Sequence, residues 1–268
     1  MKIKILFFGD VVGKIGRQAL KQIMPELRSK LKPDFVLANV ENLAHGKGIT
    51  QKTIAELEEL DINAFTSGNH IWKKKEGFEL VAKENSKVLR PANYPPQVLG
   101  RGWQIFPVGS KQILVINLIG RVFFSEDYDC PFRKFDEIKE ELKGNWDNLA
   151  AVIVDFHAEA TSEKVAMGYY LDGQVSAVLG THTHIGTADQ KILDKGAGYL
   201  TDIGMVGAKD SVLGVDKENV LKRFLDSVNY VFEIPEEGKV TVNAVYLEID
   251  TKTKKTEKIK RVDKEVII

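Results

Sequence analysis

The sequence contains a single cysteine, Cys130, among its 268 residues. One thiol excludes an internal disulfide framework and cannot by itself build a thiolate metal site, so we expect a reducing compartment, the cytoplasm. A net charge of either sign is also missing, because 38 Lys and Arg residues balance 38 Asp and Glu residues. No overall field attracts the chain to polyanions, and we expect no extended nucleic-acid surface.

Long hydrophobic runs and internal repeats are absent as well. The N-terminal apolar run, residues 3–8, is interrupted by Lys4 and stops before Asp10. That length is too short for a signal peptide or a transmembrane helix, so we expect no membrane partner. No low-complexity tract or long linker marks a domain boundary. With 43% hydrophobic residues, the chain is predicted to form one domain over residues 1–268.

The first third of the chain alternates between two patterns. Apolar runs typical of buried strands cover residues 3–8, 35–40 and 64–66, and helical patterns follow each of them. Thr50 is a predicted N-cap of the second helix. Strands that alternate with helices predict a parallel sheet, and hence an α/β fold.

The later segments add strands of a different kind. Residues 104–108 and 112–118 flank a short turn as a hairpin would, and residues 150–156 and 175–180 form two more buried runs. From Val228 onward the pattern alternates, which predicts meander strands at 240–246 and in the Lys-rich stretch 251–264. Antiparallel strands therefore join the parallel core.

Polar side chains that can bind metal ions follow the predicted strands. Four of the five histidines lie directly or almost directly after a run that we expect to be buried. Because strand ends in an open α/β sheet converge on one crevice, these distant positions are predicted to meet. The candidates are Asp10, Glu41, Asn42, Asn69, His70, His157, His182 and His184.

The chemistry of this set favours a two-metal phosphoesterase. Carboxylate, amide and imidazole groups without a thiolate suit a hydrolytic pair of ions, and an acid such as Glu41 can bridge them. Two ions about 3.5–4 Å apart would hold a hydroxide and clamp a phosphoryl group for in-line displacement. A histidine that is not a ligand is then needed to protonate the leaving oxygen.

Any one of these histidines, taken alone, is better explained as a polar residue with satisfied hydrogen bonds. The pair His182 and His184 is harder to explain in that way. In an extended segment, residues two apart face the same side, so both imidazoles are predicted to point into one site.

Five motifs in a fixed order closely resemble the YmdB-like branch of the calcineurin-like metallophosphoesterases. They span residues 8–13, 41–48, 68–70, 155–163 and 180–184, and residues 90–93 and 201–205 extend the likeness. The resemblance runs from Met1 to beyond Gly214 and covers most of the chain. It implies a sandwich of two mixed β-sheets flanked by helices, with two divalent or mixed-valence metal ions, Fe or Mn.

The resemblance also assigns roles to residues. It implies that Asp10 and His184 bind one ion, completed by Asn42, and that Glu41 bridges the pair. The other ion would be bound by Asn69, His157 and His182, and His70 would be the general acid. Two departures from the wider superfamily fit this branch: Val12 stands where a ligand histidine is usual, and Glu41 replaces a bridging aspartate.

The predicted function is that of a dinuclear metal-dependent phosphodiesterase that hydrolyses cyclic nucleotides, preferentially 2′,3′-cyclic ones. A metal-bridging hydroxide would attack phosphorus and His70 would protonate the departing oxygen. Two alternatives remain: a phosphomonoesterase or nucleotidase with the same ions, and a regulatory protein that binds an RNA-processing partner. His45 and Lys47, in the glycine-rich loop after Glu41, either touch substrate phosphate or are solvated. Whether the chain forms a homo-oligomer is left open.

Overall fold

A computed structural model describes residues 1–268 as two β-sheets packed face to face with helices on both outer sides. In chain order the strands are β1 (Lys2–Val11), β2 (Phe35–Asn39), β3 (Ala64–Thr66), β4 (Trp103–Val108), β5 (Lys111–Ile119), β6 (Ala151–His157), β7 (Ala177–Thr181), β8 (Lys191–Ile192), β9 (Gly198–Leu200), β10 (Met205–Ala208), β11 (Lys239–Val242), β12 (Ala244–Asp250), β13 (Thr256–Arg261) and β14 (Lys264–Ile267).

Six α-helices accompany these strands. They are α1 (Gly13–Leu31), α2 (Gln51–Glu58), α3 (Lys75–Ala82), α4 (Pro131–Glu141), α5 (Thr161–Leu171) and α6 (Lys217–Asp226), with short 3-10 helices at Ile71–Lys73 and Trp146–Asn148. No helix combines the length and the apolar character that crossing a bilayer requires.

The first sheet has eight strands and the second has six, and both are mixed. In the first sheet β1, β2, β3 and β10 run parallel, whereas β11 to β14 are antiparallel additions. In the second sheet β5, β6, β7 and β9 are parallel, and the edge strands β4 and β8 are antiparallel to them. The predicted α/β sandwich of two mixed sheets is confirmed.

Alternation along β1 shows why the chain forms layers. Leu6 and Phe8 pack on the outer side of the first sheet with α1, α2 and α3. Ile5 and Phe7 point the other way and pack against the second sheet. A third cluster lies beneath α4 and α5 on the far side of the second sheet. Because successive side chains of a strand face opposite sides, a strand buried on both faces reads as one continuous apolar run.

Most predicted elements are present, with one correction. The three N-terminal strands, the hairpin and the two later buried strands lie where the patterns placed them, and Thr50 caps α2 with Thr53 in a reciprocal capping box. The prediction of one strand over residues 240–246 was wrong, because Asn243 separates β11 from β12. The Asn243 side-chain oxygen accepts from Met205 N–H and its backbone carbonyl accepts from Gly9 N–H, so this residue joins three strands instead of continuing one.

β1 changes its hydrogen-bonding partner one residue before its first candidate ligand. Residues up to Phe8 pair with β12, whereas Asp10 pairs with Met205 of β10. Gly9 lies at the change and packs against the backbone of Gly204: a Cβ at position 9 would lie 1.9 Å from the Gly204 carbonyl oxygen. The exchange therefore depends on the absence of a side chain at Gly9, and it positions Asp10.

We expect Gly9→Ala to destabilise the protein by about 1–3 kcal/mol, the usual cost of inserting a methyl group into a packed site. Gly144→Ala is a matched control, because a Cβ there meets nothing within 4 Å. Chemical denaturation of both variants measures the difference. Equal free energies of unfolding for the two variants would contradict the proposed tight contact at Gly9.

Candidate metal centre

The polar candidates gather where parallel strands of both sheets end. Asp10 lies near the end of β1, Glu41 and Asn42 follow β2, and Asn69 and His70 follow β3. His157 is the last residue of β6, and His182 and His184 follow β7. The two sheets thus contribute opposite walls of one site, and the structure brings all eight residues to it.

Three ligand-type side chains form its centre. Glu41, His157 and His182 each offer one atom, and these atoms lie within 4.8 Å of one another. Glu41 Oε1 is 3.3 Å from His157 Nε2, which in turn is 3.0 Å from His182 Nδ1. The other ring nitrogen of His182 lies 2.9 Å from a carboxylate oxygen of Glu159, a residue to which the sequence assigned no role.

A second group lies beside this centre. Asp10 Oδ1 is 3.8 Å from His184 Nε2 and 4.0 Å from His157 Nδ1. The other oxygen of Asp10 accepts a hydrogen bond of 3.0 Å from the backbone N–H of His182. Asp10 therefore connects the two groups.

Hydrogen bonds fix which nitrogen of His157 is free. His157 Nδ1 lies 2.9 Å from Thr181 Oγ1, and that hydroxyl donates to Asp155 Oδ1 at 2.8 Å. Since the single hydroxyl proton is directed to the carboxylate, the oxygen accepts from His157 Nδ1–H. In the neutral ring, the Nε2 lone pair is then directed toward Glu41 and His182, as expected of a ligand oriented by a second layer of hydrogen bonds.

His184 is oriented in the same way. Its Nδ1 lies 2.8 Å from the carbonyl oxygen of Leu213, which can only accept, so Nδ1 carries the proton. In the neutral ring, Nε2 then carries the lone pair, and it faces Asp10. Neutral imidazole with its lone pair directed at a carboxylate is the form that binds metal ions.

Buried charge dominates the electrostatics. Asp10 is fully buried, and burial raises the pKa of its carboxyl. Burial acts the same way on Glu41, but the imidazoles of His157 and His70 outweigh it and hold the pKa of Glu41 well below its usual range. Against its own burial, Glu41 and Asp10 raise the pKa of His157 to about 9. The carboxylates of Glu41 and Asp10 therefore favour a positive charge at the point where they face His157.

Two unpaired oxygens show that the residues fit metal ions. Asp10 Oδ1 and Asn69 Oδ1 are both buried and have no hydrogen-bond partner. A buried acceptor without a partner is costly and needs an explanation such as a bound ion. The resemblance assigns Asp10 to one metal ion and Asn69 to the other, so each ligand group contains one of these oxygens. The donor set of carboxylate, amide and imidazole also matches divalent ions of intermediate hardness.

Gly68 allows the walls of the centre to approach each other. A Cβ at this position would lie 2.1 Å from His157 Nε2 and 2.5 Å from Glu41 Oε2. Only glycine leaves room for the backbone before Asn69 to pass this close to the imidazole.

The prediction that His182 and His184 lie in an extended segment was wrong. β7 ends at Thr181, and both histidines have positive φ angles, 100° and 63° respectively. Such values are rare for residues with a Cβ and store strain at a site. The two imidazoles still share the site, but a bent backbone places them there.

Asn42 and His70 form a pair at the rim. His70 Nδ1 is 2.8 Å from Asn42 Oδ1, and the Asn42 amide nitrogen lies 3.2 Å from His184 Nε2. In this orientation Asn42 presents its nitrogen to the proposed ligands and its oxygen to His70, so metal binding by Asn42 stays a prediction. Burial lowers the pKa of His70, with Lys47 among the charges that add to the effect.

Sequence reasoning missed the ion pair that supports the histidine loop. The buried Lys164 donates to Asp202 Oδ2 at 2.6 Å, and the same oxygen accepts from the N–H and hydroxyl of Thr183. Thr183 lies between the two histidines, so Asp202 positions both. Lys164 lies on α5, where a lysine ordinarily indicates a solvent-facing side, and only the fold shows it to be 2% exposed. The motif at residues 201–205 was the available signal.

His45 and Lys47 have different charged neighbours. Both are exposed. The charge of Lys47 acts on His70, whereas that of His45 acts on Glu236, away from the metal centre. The structure therefore places Lys47 close to the candidate general acid and His45 farther along the surface.

Comparisons with known proteins found a matching family and several similar proteins. The model of the family described as "YmdB-like protein" matches residues 6–262. The chain is 45% identical over 260 residues to a Bacillus subtilis protein named 2′,3′-cyclic-nucleotide 2′-phosphodiesterase, covering 97% of this chain and 96% of that one.

Two crystal structures are closely similar as well. One, of a phosphatase from Mycoplasma pneumoniae, superposes with a TM-score of 0.91 at 35% identity and covers 100% of this chain and 94% of that one. The other, of a Thermus thermophilus protein described as hypothetical, has a TM-score of 0.90 at 38% identity and covers 98% and 99% of the two chains.

We expect Asp10→Asn to remove the stabilisation that metal ions provide. The amide keeps an acceptor for His182 N–H and deletes a buried charge, so the metal-free variant should be at least as stable as the metal-free parent. Ions at about 1,000 times their dissociation constant should stabilise the parent by roughly 4 kcal/mol and the variant by much less. Thermal unfolding with and without a chelator, beside elemental analysis, measures both effects. An unchanged metal-dependent shift would exclude Asp10 as a ligand.

Proposed function

Because the chain belongs to the YmdB-like protein family, we propose that it is a metal-dependent phosphodiesterase that hydrolyses cyclic nucleotides, with 2′,3′-cyclic nucleotides as the preferred class. The observation that supports this most directly is the pair of buried, unpartnered oxygens on Asp10 and Asn69 within a ring of oriented imidazoles. The name of the Bacillus subtilis relative supports the choice of substrate.

The proposed ligand groups are those that the resemblance implies. Asp10 and His184 would hold one ion, and Asn69, His157 and His182 the other, with Glu41 between them and Asn42 at the rim. When bound, two such ions, for which we propose Fe or Mn, would activate water and withdraw charge from the phosphoryl group. The protein orients the ligands through Asp155, Thr181 and Asp202, so the side chains are positioned before an ion arrives.

His70 is proposed to supply the proton to the leaving oxygen. Its backbone N–H donates to Glu41 Oε2 at 2.8 Å and its Nδ1–H is directed to Asn42, so the ring is held from two sides. Nε2 is the nitrogen that remains for substrate. Hydrolysis adds water to phosphorus and breaks the bond to the 2′ oxygen, which takes a proton and leaves a nucleoside 3′-phosphate.

We expect metal-loaded protein to convert 2′,3′-cyclic AMP to 3′-AMP and to leave 3′-AMP intact. Chromatographic separation of the products with time measures both reactions. Turnover of the monoester alone would show that the protein is a phosphomonoesterase and overturn the proposal.

His70→Gln should lower kcat by roughly 10²- to 10⁴-fold, the range for loss of a positioned acid, without changing metal content. Glutamine can still accept or donate at the rim but cannot exchange a proton at neutral pH. Elemental analysis of the same preparation separates a chemical role from loss of the ions. Full activity with two bound ions would refute the role of His70.

A further inference from the structure

A cavity of about 460 Å³ lies beside the metal centre and has an unusual lining. Its lining combines three lysines and a histidine with two aromatic side chains: Lys47, Lys73, Lys74, His45, Tyr230 and Phe232. None of the predicted metal ligands lines this cavity, so it is a separate compartment from the centre itself.

The cavity adjoins the centre through shared loops. The loop that begins with Glu41 continues to Lys47, and Gly48 N–H donates back to the Glu41 carbonyl. The loop that carries His70 continues into Lys73, whose N–H donates to the His70 carbonyl at 2.9 Å. The charges of Lys47 and Lys73 both act on His70. An anion bound at these lysines would therefore lie next to the leaving-group side of the reaction.

The lysines of this cavity have no carboxylate partner. No carboxylate lines it, and none lies within 4 Å of the Lys47, Lys73 or Lys74 amino groups. Lys14, on the neighbouring surface, is by contrast paired with Glu236 at 2.7 Å. In a chain with no net charge, three unpaired lysines around one cavity form a local site for an anion.

The aromatic wall is held in place. Ile234 packs against both Gly13 and Gly46, where an added Cβ would lie 2.7 Å from its side chain. This contact fixes the segment that carries Tyr230 and Phe232 over the loop that carries Lys47. One side of the Phe232 ring is covered by Arg223, whose guanidinium lies 5.2 Å from the ring centre. The ring is 37% exposed and can stack with a planar group.

We propose that this cavity binds the nucleotide on the 5′ side of the reacting one, so that the preferred substrate is an oligoribonucleotide ending in a 2′,3′-cyclic phosphate. The inference rests on the proposed function. The lysines contact the phosphate that links the last two nucleotides, and the aromatic wall stacks on the next base. Lysine–phosphate contacts and base stacking together are the usual means of binding single-stranded nucleic acid without reading its sequence.

The test compares substrates that differ only in length. Adenosine 2′,3′-cyclic phosphate presents no second nucleotide. Its 5′-phosphorylated form adds a phosphate alone. The dinucleotide ApA with a 2′,3′-cyclic end adds a phosphate with a base. We expect kcat/KM to be roughly tenfold higher for the dinucleotide than for the mononucleotide, the scale of one stacked base. The phosphorylated mononucleotide should give an intermediate value.

Variants identify the cavity as the source of that preference. Lys74→Gln and Phe232→Leu should each lower the ratio of kcat/KM for the dinucleotide over the mononucleotide by at least about threefold, part of the stacking and contact gain. Lys75→Gln is the matched control, because Lys75 is an exposed neighbour that does not line the cavity. Taking the ratio within each variant cancels any loss of folded or metal-loaded enzyme. In Lys74→Gln, the slope of the logarithm of this kcat/KM ratio against the logarithm of the salt concentration should become shallower by about 0.7.

The outcomes separate this inference from the proposed function. Equal kcat/KM for the three substrates would overturn the inference and leave the proposed cyclic phosphodiesterase activity standing. The inference would also be overturned if the 5′-phosphorylated mononucleotide gave the full increase in kcat/KM and a second base added nothing. If no substrate is hydrolysed, the proposed function fails. Fluorescence anisotropy with a labelled dinucleotide then decides the inference: weaker binding to Lys74→Gln than to Lys75→Gln supports it, and equal binding overturns it.

Discussion

Burying carboxylates in an apolar sandwich is the constraint on which the rest of this structure depends. Asp10, Glu41, Asp155 and Asp202 are all at most 1% exposed, and each needs compensation because burial disfavours its charged form. Only Asp202 has a full ion pair, with Lys164. Burial raises the pKa of Asp155 to about 7. Asp10 and Glu41 have backbone N–H donors, but only imidazoles lie close enough to balance their charge.

This imbalance explains the arrangement of the histidines. Against the effect of burial, Glu41 and Asp10 raise the pKa of His157 to about 9, so positive charge is favourable between Glu41 and the two central imidazoles. Divalent ions would satisfy the same demand with greater charge and would give the two unpartnered oxygens a partner. The site is therefore built to be incomplete without cations, and its stability and its chemistry share one cause.

The sequence predicted the candidate residues because they interrupt apolar runs. A polar group such as Asp10 at the end of a buried strand has no packing reason to be there, and convergence of strand ends places such groups together. The resemblance then assigned roles. The supporting residues could not be predicted in the same way: Lys164 reads as the polar side of a helix, and its partner Asp202 is 38 residues away in the chain. The positive φ angles of His182 and His184 depend on contacts that only the assembled loop makes.

A chain with zero net charge can still contain a cationic cavity, because salt limits the distance over which exposed charges act. At physiological salt, exposed charges separated by more than about 8–10 Å are largely screened. Lys47, Lys73 and Lys74 therefore attract only the part of a substrate that lies within or next to the cavity. A longer strand would gain little from the remaining surface, where most lysines are balanced by acids. The proposed recognition would then be confined to the reacting nucleotide and its immediate neighbour, which would distinguish chain ends from the interior of a strand without an extended nucleic-acid surface.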